Sequence, residues 1–310
     1  MIDTLLVLAA ALSFVFGWNN SSFLIGNMAA SGTVSVRAAA GVTALGMLAG
    51  VLLEGPKMLE SLNGYLASPI SNYGLAVTFT LSLALMLFLT LAKLAAPLSG
   101  ALVGAFLGAS FGLRAAANLQ QTGIVISFWF VAPILTALLA YLLRKATSKF
   151  VSTLSLAAAD SFNRIGVLSG SLAVSYTLGA NNLGLIVGTA VGGRQTGSVA
   201  LISLGMAFVA VLGVLSLGRG KVSGTVGDRL LSLSPQGVLA VFASSALLVW
   251  LGTQLAVPMS IGQCVLGGMV GAAASQRTVV MNARVVYQEL STWVVVPVAA
   301  FLVAYAITAV

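Results

Sequence analysis

Residues 6–26 read LVLAAALSFVFGWNNSSFLIG, an apolar run with Gly17, Trp18, Asn19 and Asn20 near its middle. Residues 171–188 read SLAVSYTLGANNLGLIVG and repeat the pattern with Gly179, Ala180, Asn181 and Asn182. Two amides inside a greasy segment are costly unless something bonds them. Finding the same pair twice asks for a purpose served twice.

Working outward, the correspondence extends along the chain. APLSGALVGAFLGAS at 96–110 resembles VPMSIGQCVLGGMVGAA at 257–273, and FWFVAPILTALLAYLL at 128–143 resembles TWVVVPVAAFLVAYAI at 292–307. The landmarks keep one order and a nearly constant offset of about 162 residues, which is the signature of an internal duplication. The expected organisation is a first transmembrane repeat over 1–150 and a second over 151–310, joined near a basic loop between Arg144 and Arg164 and forming one functional unit.

Composition fixes the solvent. Of 310 residues, 59% are hydrophobic and 6% charged, and the mean hydropathy is +1.08. A water-soluble domain carries roughly 25% charged residues on its surface. Segments 77–92, 123–143, 199–218, 238–252 and 291–310 are each about long enough to cross ~30 Å of hydrocarbon, alone or with flanking residues. They are continuously apolar rather than alternating, which excludes a membrane barrel and predicts helices. The fold class expected is an all-α integral membrane protein, a multi-pass protein of the cell membrane, built from two inverted repeats with broken or re-entrant helices. The start, with Asp3 and no basic stretch before its apolar run, reads as mature helix rather than a cleaved signal.

The net charge of +8 comes from 14 basic and six acidic residues. Lys57, Lys93, Arg114, Arg144, Lys145, Lys149, Arg219, Lys221 and Arg229 stand singly or in small groups in connections, a placement that suits anionic headgroups of membrane lipid and not nucleic acid. On a model of three full spans and two re-entrant segments per half, the basic residues divide too evenly between the two sides to fix orientation. Histidine is absent, so histidine-based proton relays, histidine-ligated metal sites and histidine-containing catalytic triads are excluded. The acids Asp3, Glu54, Glu60, Asp160, Asp228 and Glu289 fall mostly in connections. Nothing offers a nucleophile with its base, and the chain reads as no enzyme. No cofactor is expected.

Interrupted apolar segments at matching points of two repeats are the sequence pointer to a transport site. Glycine permits the break, and asparagine satisfies freed backbone or coordinates a solute. Capping of helix ends is the blander use of the same amides, and helix packing is the preferred reading of Gly104, Gly108, Gly112, Gly267, Gly268 and Gly271. Pro97 and Pro258 each open a small-residue segment, which puts Ser99 and Ser260 in a first helical turn. Two helix starts facing each other near the membrane midplane make an anion site without a buried cation.

At these residues the chain resembles the inorganic phosphate transporter family often called PiT or Pho4. Gly17, Asn19, Gly179, Ala180 and Asn181 match its Gly-Ala-Asn-Asp-Val-Ala-Asn motif, and Pro97, Ser99, Pro258 and Ser260 match the start of its Pro-Val-Ser-Thr-Thr-His motif. The terminal spans, with Trp129 and Pro133 or Trp293 and Pro297, are similar too. The resemblance implies two inverted repeats and a substrate site for phosphate or a similar small oxyanion at Asn19, Asn20, Ser22, Ser99, Asn181, Asn182, Ser260 and Gln263. It implies a coupling ion, H+ or Na+, with a cation site near Asn20 and Asn182. The departures fall there: Asn20 and Asn182 replace the motif Asp, Phe23 and Leu185 replace its later Asn, and Leu102 and Gln263 stand where the His would be. Lost carboxylates predict weak sodium dependence, unless Glu54 or Asp160 enters the site from a connection.

The expected function is therefore a secondary transporter of an inorganic oxyanion, phosphate first, working by alternating access between the repeats. Sulfate or another anion, or a passive anion channel, are the alternatives; a channel needs a continuous polar lining that these spans lack. A purely structural protein would leave the four asparagines dispensable for flux. A homo-oligomer is compatible with the sequence.

Overall fold

The computed structural model describes residues 4–191, 199–217, 233–276 and 283–310. Asp3, Gly218, Arg219, Lys221, Asp228 and Arg229 lie outside the described residues. Along the chain come α1 (Thr4–Ala30), α2 (Val36–Leu53), a short 3-10 turn (Gly55–Met58), α3 (Asn72–Leu91), α4 (Leu98–Gly112) and α5 (Leu119–Val151). Then α6 (Leu156–Thr177) passes through a π-helical turn (Leu178–Leu183) into α7 (Gly184–Val191), followed by α8 (Val199–Leu217), α9 (Pro235–Gln254), α10 (Ile261–Ala274) and α11 (Ala283–Thr308). Side chains set several starts: the Ser71, Asn118, Ser155 and Ser234 oxygens accept from the Gly74, Gln121, Ala158 and Gly237 amides, which satisfies donors with no helical partner.

Seven helices among the described residues, α1, α2, α3, α5, α8, α9 and α11, are long and apolar enough to span a membrane, while α4 and α10 are shorter. Their surfaces are turned out as hydrocarbon requires. On α5 the buried face is small or kinked, with Ala132, Pro133, Thr136 and Ala140, whereas Phe130, Ile134, Leu138 and Leu142 form an exposed stripe at every fourth position. Water would penalise that stripe, and lipid does not. The chain is an all-helical multi-pass membrane protein.

Two expectations need correction. The first motif does not break its helix, because α1 runs without interruption through Gly17–Asn20 for 27 residues; the second only relaxes the backbone into the π turn. An asparagine side chain can bond sideways while its own backbone stays helical, so the amides need no break in their own helix. The basic joint is also mostly helix: Arg144, Lys145 and Lys149 ride on the last turns of α5, which ends at Val151 only five residues before α6 begins.

Packing between the halves is reciprocal. The short helix α4 lies against α11, and the short helix α10 lies against α5; α1 packs on α8 as α2 packs on α6. Glycine makes these approaches possible. A Cβ on Gly104 would stand 2.4 Å from the Pro297 carbonyl oxygen, and one on Gly267 would stand 2.2 Å from that of Pro133. Gly108 meets Phe301 and Gly271 meets Ala137 in the same way, one turn further on. A contact set that maps onto itself when the halves are exchanged is what a two-fold relation produces. Each half therefore completes its short helix with the long last helix of the other.

That geometry gives the first test. Gly104→Ala forces backbone apart and should cost about 1–3 kcal/mol, while Gly205→Ala, where nothing lies within 4 Å of the new carbon, should be neutral or stabilise by up to ~1 kcal/mol through helix propensity. Thermal unfolding in detergent checks the pair. Equal melting temperatures would show that the α4 and α11 contact is not tight.

Candidate functional site

The non-helical backbone lies elsewhere than in the asparagine motifs. After α3 the chain turns at Lys93, φ 59°, and reaches α4 through Leu94–Pro97; after α9 it turns at Ala256, φ 52°, and reaches α10 through 257–260. Left-handed backbone at a residue with a side chain is uncommon and marks a constrained bend. In such a segment peptide groups have no helical partners, and hydrocarbon offers none.

The motif amides supply them. Asn19 Nδ2 donates to Thr90 Oγ1 and to the Leu94 carbonyl, both at 3.0 Å, and its Oδ1 accepts from the Ala96 amide at 2.8 Å. Asn181 Nδ2 donates to Thr253 Oγ1 at 3.1 Å and to the Val257 carbonyl at 3.0 Å, and its Oδ1 accepts from the Met259 amide at 2.8 Å. Asn20 and Asn182 add donations to the Ala96 and Met259 carbonyls at 3.4 and 2.7 Å. The pattern is identical in both halves. Asn19 and Asn181 thus spend donors and acceptor on the bends, so the expectation that they offer their amides to a solute is not met in this geometry. Backbone satisfaction takes them first.

Each bend is held a second time, by the long helix that packs on the short helix following it. Trp129 Nε1 on α5 donates to the Pro258 carbonyl at 2.9 Å. On α11, Glu289 Oε1 accepts from the Ala95 amide at 3.1 Å.

Where the first bend meets the start of α10 there is a small cavity of about 10 Å³, room for about one water. Its walls are Phe23 of α1, Ala95, Ala96 and Pro97 of the bend, Ser260, Gly262, Gln263 and Leu266 at the start of α10, and Glu289 and Trp293 of α11. Both motifs reach it indirectly, since Asn19 and Asn20 hold Ala96, and Asn181 and Asn182 hold Met259 beside Ser260. The N-termini of α4 and α10 abut it, with Pro97 and Ser260 as their caps. The Ser260 side chain caps no amide, which leaves the first-turn donors of α10 available to an anion.

Of the sequence-predicted site residues, Ser260 and Gln263 line the cavity, and Asn19, Asn20, Asn181 and Asn182 brace its rim. Ser22 does neither, as its Oγ donates to the Asn19 carbonyl at 2.6 Å. Ser99 is fully buried and its hydroxyl is unpartnered, but it is not a wall residue. The Asn182 Oδ1 is likewise buried without a partner. Phe23, noted only as a departure, fills part of the space beside the bend.

The acids rearrange the reading most. Glu54 stays at the end of α2. Burial works against its ionisation, but bonds from Gln254, Lys57 and Trp250 outweigh that and hold its carboxyl below the usual value. Asp160 is exposed on α6. Neither enters the cavity. Glu289 does, from the middle of the helical run VYQELSTW, and a lone acid followed by a long apolar span was the signal that could have singled it out.

Residues 155–304 match the sequence profile of the phosphate transporter family, PHO4. Two relatives carry the name "putative phosphate permease": one from Methanocaldococcus jannaschii, 26% identical over 306 residues and covering 99% of this chain and 96% of that protein, and one from Helicobacter pylori, 29% identical over 204 residues, 62% of this chain and 35% of that one. A solved structure titled "The sodium-dependent phosphate transporter" shares the fold with a TM-score of 0.82 at 17% identity, covering 98% of each chain. The resemblance carried by the motifs is borne out.

The bracing role of the amides is directly testable. Asn19→Asp removes both donors and sets a carboxylate against the Leu94 carbonyl, which should destabilise by about 1–3 kcal/mol; Asn20→Asp loses one 3.4 Å contact and should cost less. Melting temperatures of the purified variants decide it, and an equal loss in both would refute the division of labour.

Proposed function

We propose that this chain is a secondary transporter of inorganic phosphate in the cell membrane, moving the anion by alternating access at a site between two inverted repeats, 1–150 and 151–310. One observation carries the reading: two bends, each braced by an Asn-Asn pair, meet with the starts of two short helices at one small cavity. Irregular backbone at membrane depth belongs where protein shields it or a solute passes. The relatives named as phosphate permeases, and the fold shared with a transporter, agree with it.

The cavity has room for about one water, so phosphate binding requires the bends to separate. Rigid long helices crossed by short ones are suited to that, because the bends at Lys93 and Ala256 can move while the glycine-packed pairs travel as units.

Within the opened site, the Ser260 hydroxyl, the Gln263 amide and the first-turn N–H groups of α10 supply donors for an oxyanion, with Ser99 joining them from α4. Asn20 and Asn182 stand where the resembling family has Asp. A site of neutral oxygens holds sodium less strongly than one with a carboxylate, so the coupling ion read here is the proton.

Radiolabelled phosphate uptake into proteoliposomes tests the proposal. Saturable accumulation driven by an inward proton gradient is expected, with no rise when sodium replaces choline outside. Ser260→Ala should weaken phosphate affinity about tenfold or more, the loss of a charge-assisted bond worth roughly 1.5–3 kcal/mol. Flux that never saturates would indicate a channel, and preferential competition by sulfate would move the substrate assignment.

A further inference from the structure

We propose that Glu289 is the proton-carrying group that couples ion movement to the oxyanion, replacing the carboxylates missing at Asn20 and Asn182. This rests on the transport reading above and names the residue that makes it concentrative. The carboxyl is 3% exposed on a membrane-spanning helix. It forms part of the cavity wall with Ser260 and Gln263, and one oxygen is anchored on the Ala95 amide. Its second oxygen makes no hydrogen bond among the described residues.

Among the described residues nothing around it neutralises an anion. Among the described residues the only ion pair is Lys57 with Glu54. Of the helices against α11, α4 carries no titratable group, and α3 carries only Tyr73, bonded to the Ile307 carbonyl at the far end. From the α10 side comes Cys264, buried; the bend carries Lys93, exposed, and α11 itself carries Arg284 and Tyr287, both exposed, and Tyr305 toward its other end. A bare carboxylate at such a place is expensive, so the group is stable with a proton or a monovalent cation on it. Like charges sharing one small site oppose each other. An ionised Glu289 therefore excludes an oxyanion from the cavity, and a protonated one admits it and can donate to it. Mutual dependence of the two bound species is what coupling requires. The proton enters on Glu289 with the anion and leaves after it on the other side.

The feature is also unduplicated. Glu289 precedes Trp293 by one turn, and at the same distance before Trp129 stands Val125, buried. A carboxyl serving only to brace a bend would be expected in both halves, as the asparagines are. Only one bend has it.

The test uses the full chain in liposomes loaded with a pH-sensitive dye, with radiolabelled inorganic phosphate outside and sodium absent. Protons and phosphate entering are measured together, because their ratio is independent of how fast a variant works. The native protein should accumulate phosphate as the outside is acidified; Glu289→Gln should carry one proton fewer per phosphate and lose accumulation against a gradient, and Glu289→Asp should retain the native ratio at a lower rate. An unaltered ratio in Glu289→Gln, or accumulation driven by sodium at fixed pH in the native protein, overturns the assignment. Should Glu289→Gln fail to fold, carbodiimide treatment of the native protein decides: an adduct on Glu289 that abolishes proton-driven accumulation supports the proposal, and a labelled protein that still couples, or no adduct at low pH, overturns it. A native protein that moves no phosphate under any gradient defeats the transport reading itself.

Discussion

The bends at Lys93 and Ala256 exist only because something inside the membrane satisfies their peptide groups. Each exposed N–H or C=O in hydrocarbon costs several kcal/mol, and here Asn19 and Asn181 each engage a carbonyl, an amide and a threonine hydroxyl at once. Amide side chains suit the task because they carry donor and acceptor without net charge. An aspartate in the same place would meet the Leu94 and Val257 carbonyls with oxygen, and would need a cation to remain there. With the bends secured, α4 and α10 can start at membrane depth, and their N-termini can face a common space.

The second constraint is that neither half closes on its own. Because α4 is completed by α11 and α10 by α5, the two half-length helices are held by elements remote in sequence, through glycines that leave no slack between backbones. Such packing acts as a rigid pair rather than a deformable layer. The packing is interrupted at the bends, which is where the cavity lies.

Much of this was legible in the chain. The spans from α3, α5, α8, α9 and α11 follow from apolar length alone, and the glycine rows of α4 and α10 were readable as packing. The sequence could not show whether an amide points at a solute or at a peptide group, since asparagine is equipped for both; the answer lies in residues 71 to 78 positions away. Length also misled at the first motif, because a polar pair looks like a break when its partners are unseen. Glu289 escaped notice for a related reason: six acids taken together look like connection residues, and only the packing of α11 shows that one of them is walled in.

A duplicated scaffold with an unduplicated site has a mechanical logic. Symmetric parts, the asparagine braces, the glycine contacts and the prolines of α5 and α11, recur in both halves, as the alternating access proposed above would require. The lining of the cavity does not repeat in the same way. The differences concentrate at one end instead: Glu289 against Val125, and Gln263 where the first half has Leu102. Both polar members of these pairs wall the same cavity. On the proposed mechanism the repeated parts serve the motion, and the substitutions that break the repeat serve the choice of what moves with it.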